Sequence, residues 1–347
     1  MKALSDIVVI DMTRLLPGPL AGSQLSGLGA KVIKIEHPTR PDAASQMQPF
    51  VDGESVLYRM LNGGKEIKKI GWDSPEGKEE LFELIKTADV FLEQFKPGLL
   101  KTWGLDYETL SATYPQIIYV SITGYGQEGL YAQKAGHDLN YLALSGALQL
   151  NRETDAPVIP GFQMADVAGG SYQAVTAVLA GLLNRQKSGK GCWLDVSMLE
   201  GVLPVSTIAY SMQAGGINPD KIKFLWGDLV NYNVYRCRDG RFMALGALEL
   251  KFWNAFCEAV GRGDWKREHL SELSKNTFLQ TDVTELFLTR TRKEWTDWAE
   301  DFNFCLTPVK TPEEALRDEH FVSRNAFVKD DKDRFQGWNL PFRMLRE

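Results

Sequence analysis

The chain has 347 residues, 44% of them hydrophobic and 24% charged, with a formal net charge of -6 at pH 7. These are ordinary globular values, and the length exceeds what one hydrophobic core usually serves, so two domains are expected. The acidic balance excludes a general nucleic-acid binder but leaves room for a local basic pocket.

The opening residues Met1-Lys2-Ala3-Leu4-Ser5-Asp6 turn directly into an apolar strand, without the apolar core and small-residue cleavage site of a signal peptide. The nearly apolar stretch 174–183 is interrupted by Thr176 and Gly181 and is too short to span a bilayer. Cys192, Cys237, Cys257 and Cys305 show no CxxC spacing and read as free thiols in a reducing compartment. A cytoplasmic protein without a membrane partner is expected.

Ile7-Val8-Val9-Ile10-Asp11 is a short apolar run of the kind a buried parallel strand shows. Pro17 and Gly18 open a helix to Leu28, which Gly29 closes, and 31–36 (KVIKIE) reads as the second strand of a βαβ unit. Further strands are expected at 66–70, 89–95 and 116–122. Ser74 caps a helix running to Thr87, with Pro75 at its first turn, and short helices lie around Leu99 and Leu110. Strands alternating with helices predict an α/β fold, a doubly wound and mostly parallel Rossmann-like sheet. Beyond it, helices are expected over 138–149, 169–185 and 197–214, with a turn-rich loop over 151–160. A β-hairpin follows over 232–246, its turn marked by Asp239-Gly240. The expected division is a large domain over 1–195, a linker over 196–224, a smaller α+β domain over 225–308, and a C-terminal segment from 309 to 347 that returns to the large domain.

The loop after the first strand reads Thr13-Arg14-Leu15-Leu16-Pro17-Gly18-Pro19, not GxGxxG, so a dinucleotide does not fit there. His37, His137, His269 and His320 do not pair at metal-ligand spacing, and no P-loop, HExxH or GxSxG arrangement occurs. No metal is expected.

Two segments combine chemistry-bearing residues. In 136–146 (GHDLNYLALSG), Asp138 suits an N-cap, which places His137 where a helix dipole disfavours an imidazolium. A neutral ring there suits a general base, although from the residues alone a histidine that merely ties down a loop is the plainer reading. In 164–171 (MADVAGGS), Asp166 precedes an apolar helix whose Gly169 and Gly170 permit close approach. An ordinary capping aspartate is the plainer reading of that residue. Backbone amides around Asp138 and Val167 are candidate donors to an enolate oxygen.

GHDLNYLALSG, the Asp166 segment and 185–191 (RQKSGKG) resemble the CaiB/BaiF family of class III CoA-transferases, and most closely its 2-methylacyl-CoA racemase branch. The likeness runs from residue 5 to about 330. It includes Leu16-Pro17-Gly18-Pro19, Lys96-Pro97-Gly98, 123–127 (TGYGQ), Asp239-Gly240, Thr307-Pro308-Val309 and Glu319-His320. The resemblance implies that His137 and Asp166 exchange a proton at the α-carbon of an acyl-CoA, with Glu249 supporting His137. In the transferase branch the residue matching Asp166 is instead a covalent nucleophile, so His137 separates the two readings. The resemblance further implies CoA-binding roles for Leu15, His37, Lys65, Lys96 and Asp138. No cofactor is expected beyond the CoA carried by the substrate thioester, and the family's subunits form an interlocked homodimer. Departures are Lys96 where arginine is usual, His37 where a basic residue is usual, and Leu130 in place of a loop proline; they bear on how CoA is held.

Overall fold

Branched apolar runs form the central strands of the computed structural model, which describes residues 2–153, 156–219, 225–273 and 275–343. The chain separates into two units, Met1–Thr207 with Glu319–Glu347, and Ile208–Asp318.

In the first unit, β1 (Val8–Asp11), β2 (Lys31–Glu36) and β3 (Glu66–Lys69) lie on one side of the sheet. β4 (Val90–Glu93), β5 (Ile118–Thr123) and β6 (Cys192–Ser197) lie on the other, in the order β6-β5-β4-β1-β2-β3. Every pairing in this sheet is parallel. β4 and β5 are buried along their whole length, as strands covered on both faces must be. One face packs Val9, Leu92 and Val120 against α1 (Pro17–Gly27) and the long helix over Tyr172–Ser188. The other packs Ile10, Phe91 and Tyr119 against α2 (Pro75–Ile85) and α3 (Tyr107–Thr113). The doubly wound expectation is met. α2 starts as its residues dictate, with the Ser74 hydroxyl accepting from Gly77 N–H and Pro75 in the first turn.

Winding reverses between β1 and β4, so the loops after these strands flank a crevice at their carboxyl ends. Gly18 N–H donates to Gln94 Oε1 across that crevice at 3.2 Å, tying the two loops together.

Three helix expectations are corrected. The stretch 138–149 is α4 (Asp138–Leu144), broken at Gly146 with φ +75° before a single turn over Ala147–Leu150. The helix expected from 169 starts earlier, as a π-helix over Ala165–Ser171, and continues as α5 (Tyr172–Ser188). The stretch 197–214 divides into α6 (Met198–Val202), a 3₁₀ turn over Leu203–Ser206, and a helix over Thr207–Ala214. Pro204 accounts for this last break, since its ring clashes with the preceding turn and it has no N–H to donate.

The second unit holds the expected hairpin, β7 (Tyr232–Arg236) and β8 (Phe242–Gly246), extended by β9 (Leu306–Pro308) into an antiparallel sheet. α7 (Leu250–Ala259), α8 (Thr277–Leu288) and α9 (Arg292–Ala299) complete its core around Trp253, Phe256, Phe287, Trp295 and Phe304. The Tyr235 and Phe287 rings stack at 4.7 Å. No helix among the described residues is long and apolar enough to cross a membrane.

Candidate active site

The two helix starts singled out in the sequence lie against one another. His137, not Asp138, is the N-cap of α4, and its N–H donates to Asn140 Oδ1 at 3.0 Å. Asp138 becomes the first helical residue, and its carboxylate turns away to the other segment. There Oδ1 accepts from Ala165 N–H at 2.7 Å and from Asp166 N–H at 3.0 Å. One carboxylate thus joins the residue after His137 to the backbone of Asp166. The Gly136 carbonyl accepts from Tyr141 Oη at 2.7 Å, which fixes the approach to the helix.

The π-helix gives the Asp166 segment its shape. Widened turns of this kind are rare and frequent at functional sites. Ser171 Oγ donates to the Pro17 carbonyl at 2.8 Å, linking this segment to the start of α1. Gly169 lies against α6, where an added Cβ would sit 2.5 Å from the Met198 carbonyl oxygen. Gly169→Ala is therefore expected to cost about 2 kcal/mol in urea unfolding, because backbone rather than a flexible side chain must yield.

The Asp166 carboxylate is half-buried and, among the described residues, accepts no hydrogen bond. Burial pushes it up to about 6, helped by repulsion from Asp138 and opposed by His137. An unsatisfied carboxyl that titrates near neutrality beside an exposed imidazole can both give and take a proton. The expectation of an enolate donor at Val167 is corrected. Val167 N–H is bonded to the Gln163 carbonyl at 3.1 Å, and the amides of Ala165 and Asp166 are taken by Asp138.

The CoA-binding candidates divide sharply. Leu15 sits half-exposed at the carboxyl end of β1 with φ +58°, a strained conformation for this residue. Its N–H is held by Asp42 Oδ1 at 2.9 Å. Asp42 in turn is paired with the buried Lys34 at 3.1 Å. Lys96 is exposed on the loop after β4, at a cavity of about 160 Å³ walled by Tyr107, Trp193, Glu93 and Gln127.

Lys65 and His37 are both engaged by protein groups. Lys65 is fully buried, and its ammonium donates to Asp11 Oδ2, the Pro19 carbonyl and Asn62 Oδ1 at 2.8, 2.8 and 2.9 Å. An ammonium has three protons, so none is left for a phosphate. His37 is buried, with Nε2 at 2.8 Å from Asp73 Oδ1 and Nδ1 at 3.1 Å from the Thr39 hydroxyl. Both ring nitrogens are thus occupied by protein groups.

Two cations that the sequence reading passed over stand nearby. The Arg14 guanidinium lies 5.6 Å from the Phe95 ring and 6.0 Å from Trp72, and that of Arg40 lies 5.7 Å from Trp72. Arg14 follows β1, whose carboxyl end flanks the crevice, and Arg40 follows the neighbouring β2, where it pairs with Asp73 at 2.6 Å; position after these strands is the signal that could have found them. Glu249 belongs to the second unit, exposed at the N-cap of α7 with no side-chain bond to its own helix.

A family model described as CoA-transferase family III matches residues 4–347. The chain belongs to that family. It is 30% identical over 333 residues to the human alpha-methylacyl-CoA racemase, covering 95% of this chain and 84% of the relative. It is 34% identical over 303 residues to the human succinyl-CoA:glutarate CoA-transferase, covering 85% of this chain and 68% of the relative. A solved CAIB/BAIF family protein from Brucella suis superimposes with a TM-score of 0.84 at 29% identity, covering 98% and 92% of the two chains. Family III thus joins racemases and transferases among the relatives of this enzyme, and the fold is theirs.

Proposed function

We propose that this family III enzyme inverts the α-carbon of a 2-methyl-branched acyl-CoA by two-base proton transfer, with His137 and Asp166 as the two bases. The observation that carries the reading is a half-buried Asp166 carboxyl, without a hydrogen-bond donor among the described residues, that burial pushes up to about 6 and that lies near enough to His137 to feel its charge. A hydrogen beside a thioester carbonyl is weakly acidic, so one group must take it while the developing enolate oxygen is stabilised. The second group then protonates the opposite face, and the pair ends with its proton exchanged. The Asp138 N–H, at the start of α4, is the enolate donor in this reading.

Leu15 at its strained turn and Lys96 at the mouth of its cavity are the proposed CoA contacts, with Arg14 adding charge for the phosphates. Asp138 takes part by holding the Asp166 segment, and the partner subunit's Glu249 as the group that orients His137. The interlocked homodimer implied by the family belongs to the same proposal.

Similarity to the succinyl-CoA:glutarate CoA-transferase supports a second reading. There the Asp166 carboxylate attacks the thioester carbonyl, releasing CoA thiolate and leaving an acyl-aspartyl anhydride. Incubation of the protein with a 2-methylacyl-CoA in heavy water separates the two. Deuterium entering the α-carbon without any added carboxylic acid supports the racemase. Absence of that exchange, with CoA passing to added acids and a CoA thioester trapped on Asp166, would establish the transferase instead.

A further inference from the structure

Within the second unit, the four residues 246–249 are anchored from three separate places. Gly246 N–H donates to the Cys305 carbonyl at 2.9 Å. The Ala247 carbonyl accepts from Nδ2 of the fully buried Asn231 at 2.7 Å. The Leu248 carbonyl accepts from His269 Nε2 at 2.6 Å. Because a carbonyl can only accept, the ring nitrogen facing it carries the proton. Glu249 follows at once, its backbone committed and its carboxylate exposed.

His269 is itself rigidly mounted. It ends a 3₁₀ turn over Gly263–Glu268 that packs back on α7, where Trp253 Nε1 donates to the Trp265 carbonyl at 3.0 Å. Both tryptophans are buried. On its other side, Leu270 has φ +63°, and the Ser271 carbonyl accepts from Val230 N–H at 3.1 Å, next to Asn231. The connections close on themselves. α7 holds the turn through Trp253, the turn carries His269, and His269 holds the carbonyl just before the residue that starts α7.

From this closed circuit we infer that His269 is a positioning residue for Glu249. Its N–H fixes the Leu248 peptide plane and with it the direction in which the Glu249 carboxylate leaves the backbone. The inference rests on the reading of Glu249 as the group that orients His137. A histidine that only stabilised its own unit would influence folding, not the work of one particular carboxylate. Misplacing a reacting group by a small distance can cost up to about 100-fold in rate.

The test uses the full-length protein and α-deuterium exchange of a 2-methylacyl-CoA, comparing His269→Ala, His269→Gln, Glu249→Ala and the double variant E249A/H269A. Loss of the donor in H269A is expected to lower kcat about tenfold, with KM little changed. H269Q, which places an N–H at similar reach, is expected to recover most of that loss. In the E249A background, H269A should subtract nothing further, since the group it positions is gone. His269→Asn replaces H269A in the cycle if the alanine variant does not fold. Independent, additive losses would overturn the inference, as would full activity of H269A beside an impaired E249A. An unimpaired E249A would bring down the reading of Glu249 itself, and the inference with it.

Discussion

Replacing Asp166 with Asn is expected to slow racemisation of a 2-methylacyl-CoA by about 10³-fold. The substitution keeps size and polarity but removes the only atom on that side able to accept and return a proton. His137→Ala is expected to do comparable damage. The double variant should be little slower than either single one, because a proton relay fails as a unit when either member is missing. Binding of the acyl-CoA should change little in all three, since neither group is proposed to hold the nucleotide. Racemisation at the normal rate in D166N would remove Asp166 from the proton transfer.

The same carboxyl predicts a pH profile. The pair must hold one proton between them, so kcat/KM should be bell-shaped and alike for both enantiomers, with limbs that belong to the pair. With Asp166 at about 6, the acid limb should fall near that pH, where a second proton arrives. Asp138→Asn leaves an oxygen to accept from the Ala165 and Asp166 amides but removes the repelling charge. The acid limb should therefore move to lower pH. Stability follows with a definite sign. The folded protein holds the Asp166 proton more tightly than the unfolded chain does. The resulting cost appears as pH rises above about 4 and is complete beyond about 6. D166N should then be the more stable protein at pH 8, by about 1 kcal/mol since solvent reaches part of the group, and no more stable at pH 3. Parallel melts at the two pH values read this directly.

How far residues reveal a structure differs between these two sites. The β1-α1-β2 unit follows its sequence almost residue for residue, because an apolar run, Pro17 and Gly29 each act locally. The pairing of 136–138 with 164–166 was approached through two local signals, but Asp138 was assigned the wrong task. A cap acts within four residues, whereas this carboxylate bonds amides 27 and 28 positions ahead. The π-helix has no period of its own in the sequence; it reflects how Gly169 meets the Met198 carbonyl and Ser171 meets Pro17. Resemblance located Lys65 and His37 at the correct rim of the sheet without revealing that their protons and lone pairs are already used. Arg14 and Arg40 went unnoticed because the rings they lie over come from positions 72 and 95, far along the chain.

Lys65 offers the sharpest contrast between position and availability, and its replacement by Met should cost about 3 kcal/mol of stability. Burial tends to raise the Asp11 carboxyl, but Lys65 and Lys34 outweigh it and hold it below its usual range. Lys65, for its part, is driven down by burial to about 8 against the pull of Asp11. Each ion is therefore tolerable only because of the other, and removing the ammonium leaves a carboxylate with no access to water. Lys34 and the Thr13 hydroxyl, both near Asp11, keep the loss toward the low end of the range for broken buried pairs. Asp11→Asn in the same chain should recover a good part of it. Asn still accepts from Thr13 N–H, as Asp11 does at 2.9 Å, and no longer carries an unpaired charge. Urea unfolding of K65M and D11N/K65M measures both steps. A phosphate ligand would behave in the opposite way, with a weaker grip on acyl-CoA and an almost unchanged unfolding midpoint. Such a result for K65M would mean that the ammonium leaves Asp11 and reaches the substrate. The three hydrogen bonds it makes inside the protein argue that it does not.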